Sequence, residues 1–424
     1  MGFLAWSSGQ VGSRVERPAG IWAAVLLQAL AWLWLSPSSH TALAAANRGA
    51  NCSWNATPLN LPASSATLNV RLVTRQQLTA GAANMRGQQI ARVLNSHPNV
   101  SAALVRAKDC RSYCAKKESK GVTHVIFVKY PCPGCRRHRG LFQALDLVDN
   151  VGFLHGAKGS LPPGYTYPGT YSALIVNTQA MATTARSKGH TTVVIDHQHN
   201  NFCDATAIFR KKAAASHPFQ VYFIGGNAKA MDKQFRQAEQ ELLDEFPHLR
   251  LDGLQIRGAT LGDDFQRLAA ADVAVVWDQC TEARFSTAKC FAYKPNTRAA
   301  AAMSAGLPVL MHGRYSGHRE LAADFGGVAT TASQRAALLP ETWPQLVAGL
   351  RLLLRDPGLR EALGKRSKQV SQRYGIREVG GRFLQVLLGQ LPPPTGPSAT
   401  RARQGPVMAL PGGGGGRGAR RGKI

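Results

Sequence analysis

The chain is short of acid. Aspartate and glutamate total 24 against 51 lysines and arginines, a formal charge of +27 over 424 residues. That imbalance points to anionic partners: nucleic acid, anionic lipid, acidic glycans or nucleotide phosphates. A basic stripe interleaved with aromatics is missing, and the cations are scattered. The charge therefore gives nucleic acid no preference over the others, and none is expected as a partner. No cysteine precedes Cys52. The apolar run Gly20–Leu35 falls short of the ~20 residues that span a bilayer. Trp6 stands where an N-myristoylation signal needs Ser or Thr, which removes that route to a membrane.

What is present at the start has the form of a secretory leader. Arg14 and Arg17 precede the apolar run, and Ala42-Leu43-Ala44-Ala45-Ala46 follows it. A basic flank, an apolar centre and an A-x-A end describe a signal peptide over residues 1–46. An uncleaved signal anchor, extended through Ser36–Ala46, fits the same residues and would be the one expected membrane contact. All eight cysteines (Cys52, Cys110, Cys114, Cys132, Cys135, Cys203, Cys280, Cys290) lie beyond the run. An even count in an exported chain implies disulfides of open connectivity. Cys110-x3-Cys114 with Cys132-x2-Cys135 leaves a four-cysteine zinc site as the alternative. N-glycosylation sequons stand at Asn51, Asn55 and Asn99. Together these features place the chain in the ER or Golgi lumen, or outside the cell.

At this length two or three domains are expected. Residues 47–65 are polar and read as a stem. From Thr67 short apolar strands alternate with helical or irregular segments: Thr67–Thr74, Val100–Val105, His124–Lys129, Phe142–Val148, Ala173–Asn177 and Thr192–Asp196. Helices are expected over Asn84–Leu94 and Thr178–Lys188. This alternation argues for a parallel α/β sheet over residues 66–205. A polar, basic linker follows, and a second series covers 206–390. Its strands are Gln220–Ile224, a short one within Leu249–Ile256, Val273–Trp277 and Val309–Met311. Its helices are Ala230–Phe246, Gly262–Ala271, Thr297–Ala305, Gly317–Asp324, Leu338–Arg355, Gly358–Tyr374 and Arg377–Leu391. Residues 391–424 are rich in Pro, Gly and Arg and read as disordered. The expected fold class is α/β, with two doubly wound Rossmann-like domains facing a cleft. In such sheets ligands bind beyond the carboxyl ends of the strands.

One stretch stands out, Tyr293-Lys294-Pro295-Asn296-Thr297-Arg298 and the alanines behind it. Pro295 and Asn296 suit a helix start. Gly306 and Pro308 end the helix. Cations at a helix N-terminus make a seat for an anionic group, because free N–H groups and fixed charges point the same way. A basic surface loop in front of an Ala-rich packing helix is the plain alternative.

The order of motifs in the second half resembles the nucleotide-binding domain of GT-B-fold glycosyltransferases. Phe223-Ile224-Gly225-Gly226 is similar to that family's glycine-ended first strand. Leu268–Val276 is similar to its "ADVAV" helix-to-strand segment. Lys294–Val309 is similar to its Lys-x-Asn-x-Arg…Ala-Met-x-Ala-Gly-x-Pro-Val element, and Glu320 follows the next strand. The resemblance covers about residues 219 to 390; the first half matches in architecture only. It implies a nucleotide-sugar donor, with no metal needed. Lys294 and Arg298 would neutralise the diphosphate. Asn296 and the helix N-terminus would hold phosphate or ribose oxygens, and Gly225 and Gly226 would admit the backbone close to the ligand. Glu320 would accept ribose hydroxyls, or else meet a helix dipole.

The chain departs from the family at Tyr293 and Ala301, where many retaining members carry paired glutamates. An inverting reaction needs a base in the first domain. Residues on carboxyl edges there are Asp149, His155, His197 and His199, of which Asp149 and His155, after the fourth strand, suit it best. His197-x-His199 has the spacing of a metal pair but no obvious third ligand. The expected function is transfer of a sugar from a nucleotide-sugar to a glycan or glycoconjugate in the secretory pathway, the acceptor being acidic or sulfated if the charge serves it. A catalytically inactive glycan-binding descendant is the first alternative. A sulfotransferase is disfavoured because Thr74-Arg75-Gln76-Gln77 makes a poor phosphate loop, and an epimerase is disfavoured by the secretory leader.

Overall fold

The computed structural model describes residues 67–78, 81–107, 110–113, 121–132, 140–148, 171–199, 219–224, 239–254, 268, 271–277, 291, 294–324 and 331–390. All of them belong to one unit, Ala56–Ile424. The leader (1–46), the stem (47–65) and the tail (391–424) lie outside the described residues. Among the described residues no helix is long and apolar enough to cross a membrane.

Among the described residues ten strands form two parallel sheets. The first holds β1 (Leu68–Thr74), β2 (Val100–Arg106), β3 (His124–Val128), β4 (Phe142–Asp146), β5 (Ala173–Val176) and β6 (Thr192–Val194), in the order β2-β1-β3-β4-β5-β6. The second holds β7 (Phe219–Ile224), β8 (Leu249–Leu254), β9 (Val273–Val276) and β10 (Val309–Met311), in the order β10-β9-β7-β8. In each sheet the chain moves outward on one side of its first strand and resumes on the other. The switch points therefore lie between β1 and β3 and between β7 and β9. The two-lobed, Rossmann-like α/β architecture expected from the sequence is present.

Alternation decides which side chains go to which face of the first sheet. Val70, Leu72, Ile126, Val128, Ala144 and Ile175 share one core. Val73, Val125, Phe127, Leu145, Leu174 and Val176 share another. Both faces are apolar because both are covered. Over the second face lies α2 (Gln179–Ser187), through Met181, Ala182 and Ala185. Cys110 and Cys132 join the same core as a disulfide, closing the loops that follow β2 and β3. The pair removes those two cysteines from a zinc site; Cys114 and Cys135 lie outside the described residues.

The first face is covered by α1 (Ile90–Leu94), which continues a π-helical turn over Ala83–Gln89, and by α8 (Ile376–Leu387). This corrects a boundary drawn from sequence, which placed 206–390 in the second lobe. Ile376, Val379, Phe383, Leu384, Val386 and Leu387 are buried in the core of the first. Each such burial is worth about 1.5–3 kcal/mol, which decides where an amphipathic helix docks. The reversal is made at Gly375, extended at φ −65° and ψ 148°, after the 3-10 turn Gln372–Tyr374.

Deep in this lobe Arg86 is fully buried with Asp146. Its Nε donates to Asp146 Oδ2 at 2.7 Å and its Nη2 to Asp146 Oδ1 at 3.2 Å. Nη1 reaches Asp196 O at 2.9 Å and Nη2 reaches Ile195 O at 3.3 Å. The guanidinium lies 4.8 Å from the centre of the Phe383 ring. One side chain thus ties β4, the end of β6 and α8.

In the second lobe all of β9 is buried, flanked by α3 (Thr297–Ser304), whose Ala299–Ser304 are buried too. Small side chains let α3 lie close between its neighbours. Gly306 closes the helix at φ +74°, a conformation suited to glycine. The strand β10 leads to α4 (Ser316–Ala323), and α5 (Ala332–Leu338), α6 (Trp343–Arg355) and α7 (Pro357–Ser371) follow. The single helix expected over Leu338–Arg355 is broken at Leu339–Thr342. Pro344 is the reason: its ring cannot sit inside a helix but fits the first turn of a new one. Thr342 N–H donates to Gln345 Oε1 at 3.1 Å as that turn begins.

Candidate functional site

The carboxyl ends of β9 and β10 carry ring systems. Trp277 follows β9 and His312 follows β10, stacked with centroids 4.2 Å apart. Phe291 and Tyr315 pack on His312 at 5.2 and 5.4 Å, and His318 lies 5.0 Å from Tyr315. His318 Nδ1 hydrogen-bonds His312 O at 3.1 Å, fixing the start of α4 to the end of β10. Sequence reasoning passed over this cluster. The signal was the position of Trp277 and His312 directly after parallel strands, where ligand sites form.

The stretch singled out in the sequence arrives at the same edge. Lys294 and Arg298 are half-buried, and Asn296 is buried at the N-cap of α3. The first bond of the helix runs from Ala300 N–H to Asn296 O at 2.9 Å. The Asn296 side chain makes no cap bond to its own helix; it lies near the Tyr374 hydroxyl and favours that group's ionised form. Burial, and next the charge of Asp196, push that hydroxyl well above the usual tyrosine range.

Elements of both lobes meet here. Gly317, in the first turn of α4, stands against Lys294 O, Asn296 N and Thr178 Cγ2; a Cβ in its place would come within 3.1, 3.5 and 3.4 Å of them. Glu320, one turn later, accepts hydrogen bonds from Gln179 and Ala180 at the start of α2. Burial raises its carboxyl above the ordinary value, against the lowering pull of those N–H groups, and Asp196 raises it further. Arg373 spans to Asp196 at 3.2 Å and to Asp324 at 2.6 Å, and Arg382 reaches Asp196 at 2.6 Å. His199 N–H donates to Tyr374 O at 3.0 Å.

Lys294, Asn296, Arg298 and Glu320 therefore share one junction. His197 and His199 are buried on the first-lobe side; His197 Nδ1 bonds Gln198 O at 3.1 Å. Among the described residues no group of three or more His, Cys, Asp or Glu side chains is disposed to hold a metal ion. Asp149, His155, Gly225, Gly226, Tyr293, Asn51 and Asn55 lie outside the described residues. Val148, directly before Asp149, has φ +54°, an outlier for a β-branched residue. It is held by Asn177 Nδ2 on its carbonyl and by its own N–H on Asp146 Oδ1 at 3.3 Å. Asn99 is half-buried, its carbonyl accepting from Leu68 N–H at 2.8 Å.

No family model matches the chain. No curated protein sequence matches it either. Among solved structures it is similar to a sucrose-phosphate synthase from Thermosynechococcus elongatus, with TM-score 0.46 and 13% identity, over 76% of this chain and 98% of that one. It is similar to a UDP-GlcNAc 2-epimerase from Neisseria meningitidis bound to UDP-GlcNAc, with TM-score 0.44 and 10% identity, over 76% and 100%. A third is the N-terminal domain of a trehalose-6-phosphate phosphatase from Candida albicans, with TM-score 0.46 and 10% identity, over 78% and 98%. At TM-scores below 0.5 these likenesses carry no argument, and the functional reading rests on the residues.

Proposed function

We propose that the chain is a glycosyltransferase of the secretory pathway, in the ER or Golgi lumen, that moves a sugar from a nucleotide-sugar donor to a glycan or glycoconjugate. The observation that carries this reading is the cationic start of α3. Lys294 and Arg298 flank a helix N-terminus at the carboxyl edge of the second sheet, beside the first lobe. As the bond between the anomeric carbon and the diphosphate breaks, negative charge grows on the leaving oxygen. Fixed cations and a helix N-terminus aimed there lower the barrier without rearrangement. They supply the positive charge that a metal would otherwise bring. The acceptor hydroxyl attacks the anomeric carbon and loses its proton to a first-lobe base, for which Asp149 and His155 are proposed. Gly225 and Gly226, following β7, would border the donor. The apolar leader, the sequons and the Cys110–Cys132 disulfide support the secretory address.

The test is release of nucleoside diphosphate from a panel of sugar nucleotides by the purified full chain. Lys294→Ala and Arg298→Ala should each lower kcat/KM by about a hundredfold, the scale of losing one stabilising group, with unfolding unchanged. Unaltered release in both variants overturns the site. Tyr293 and Ala301, standing where the family's paired glutamates would be, favour one second reading, a glycan-binding protein without turnover. Nucleotide binding without release from any donor would establish it.

A further inference from the structure

Glu320 belongs to α4 of the second lobe, yet its carboxylate is used by the first. Gln179 N–H donates to both of its oxygens at 3.1 Å, and Ala180 N–H to Oε1 at 3.4 Å. Thr178 Oγ1 accepts from Met181 N–H at 3.1 Å. A helix leaves its leading N–H groups without intrahelical acceptors. In α2 these three are closed by one side chain from its own lobe and one from the other. Gly317 allows it: with a hydrogen in place of a Cβ, α4 passes between Thr178 and the Lys294–Asn296 backbone.

We infer that Glu320 is a positioning residue that docks α2 of the first lobe onto α4 of the second, and is not a ligand for donor ribose. Its effect is to fix the start of α3, with Lys294 and Arg298, relative to the first-lobe edge. The charged groups around it fit this task. Asp196 follows β6 on the first-lobe side; Arg373 follows α7 and bonds Asp196 and Asp324, closing a second link across the same junction. The docking stands on the hydrogen bonds alone, whereas its consequence for turnover rests on the donor reading above.

Docking needs an acceptor at Glu320, not a charge. Glutamine keeps one carbonyl oxygen at the same reach, while alanine keeps none. The experiment is amide hydrogen exchange of the full chain without ligand, for wild type, Glu320→Gln and Glu320→Ala, with calorimetric titration of uridine and guanosine diphosphate. Glu320→Ala should expose Gln179 and Ala180 to exchange about tenfold faster, the scale of ~1.4 kcal/mol for the hydrogen bonds lost. Protection of β9 should not change, and Glu320→Gln should stay within about threefold of wild type. Nucleotide affinity should be the same in all three proteins, and any turnover should fall in kcat with KM kept. Equal protection of Gln179 and Ala180 in wild type and Glu320→Ala overturns the inference. So does loss of nucleotide binding in Glu320→Ala with those amides still protected. Should Glu320→Ala not fold, Glu320→Asp, one methylene shorter, answers the same question. If wild type binds neither nucleotide, the donor reading is in doubt and the exchange result still decides the docking.

Discussion

Removing the negative partner of Arg86 is the sharpest test of how the first lobe is held together. Asp146→Asn preserves shape and one acceptor but leaves a guanidinium without a countercharge. Arg86 and Asp146 are both fully buried, so water cannot compensate. The guanidinium would keep its bonds to Asp196 O and Ile195 O and its approach to the Phe383 ring. Those neutral contacts do not replace an ionic partner. Breaking a buried pair from one side costs about 3–5 kcal/mol. At ~1.4 kcal/mol per tenfold, the folded-to-unfolded ratio should fall by roughly a hundredfold to several thousandfold. Urea unfolding followed by circular dichroism measures it, through a lower midpoint at unchanged slope. A companion variant, Arg86→Met with Asp146→Leu, removes both charges and should lose less than half as much, since apolar replacement spares both desolvation costs. A loss below about 1 kcal/mol for Asp146→Asn would refute the view of this pair as the lobe's internal tie.

Two further outcomes are expected. Replacing Cys132 with serine opens a loop of sequence separation 22 and should cost about 3 kcal/mol by chain entropy; an unchanged urea midpoint would contradict it. Glu320 carries a pH dependence whose sign is fixed. Its carboxyl is raised above 4.5 by burial when docked, so docking is favoured most below 4.5 and loses that contribution as pH rises through the raised value. Protection factors at Gln179 and Ala180 should therefore decline from acid toward neutral pH and then level off. The decline should vanish in Glu320→Gln; a rise with pH would contradict the burial argument.

Much of the layout was legible in the sequence because parallel strands are short apolar runs with punctuated ends. Val273–Val276 and Val309–Met311 stood out for that reason, and Gly306 with Pro308 marked the end of α3. Tertiary choices were not legible. The hydrophobic face of Ile376–Leu387 would fit either lobe, and only packing against Ile90 and Leu94 assigns it to the first. Pro344 was a local signal available in the sequence that a long apolar pattern outweighed. At the site, Lys294, Asn296 and Arg298 could be placed together because they are neighbours in the chain. The meeting of Glu320 with Gln179, 141 positions away, leaves no trace in local pattern. Neither does the approach of Asn296 to Tyr374, which brings a helix start to a turn much later in the chain.

The return of α8 to the first lobe has a consequence for synthesis. A ribosome that has released residues as far as 199 has delivered the six described strands of the first sheet, yet one face has only α1 and still lacks α8. The apolar side chains of Val70, Leu72 and Ile126 must wait for Phe383 and Leu384, and the whole second lobe is made in between. Nascent parallel sheets with an incompletely covered face are prone to stray association. The last helix among the described residues is therefore one that seals the first lobe, and a chain stopped before it leaves that earlier lobe unfinished.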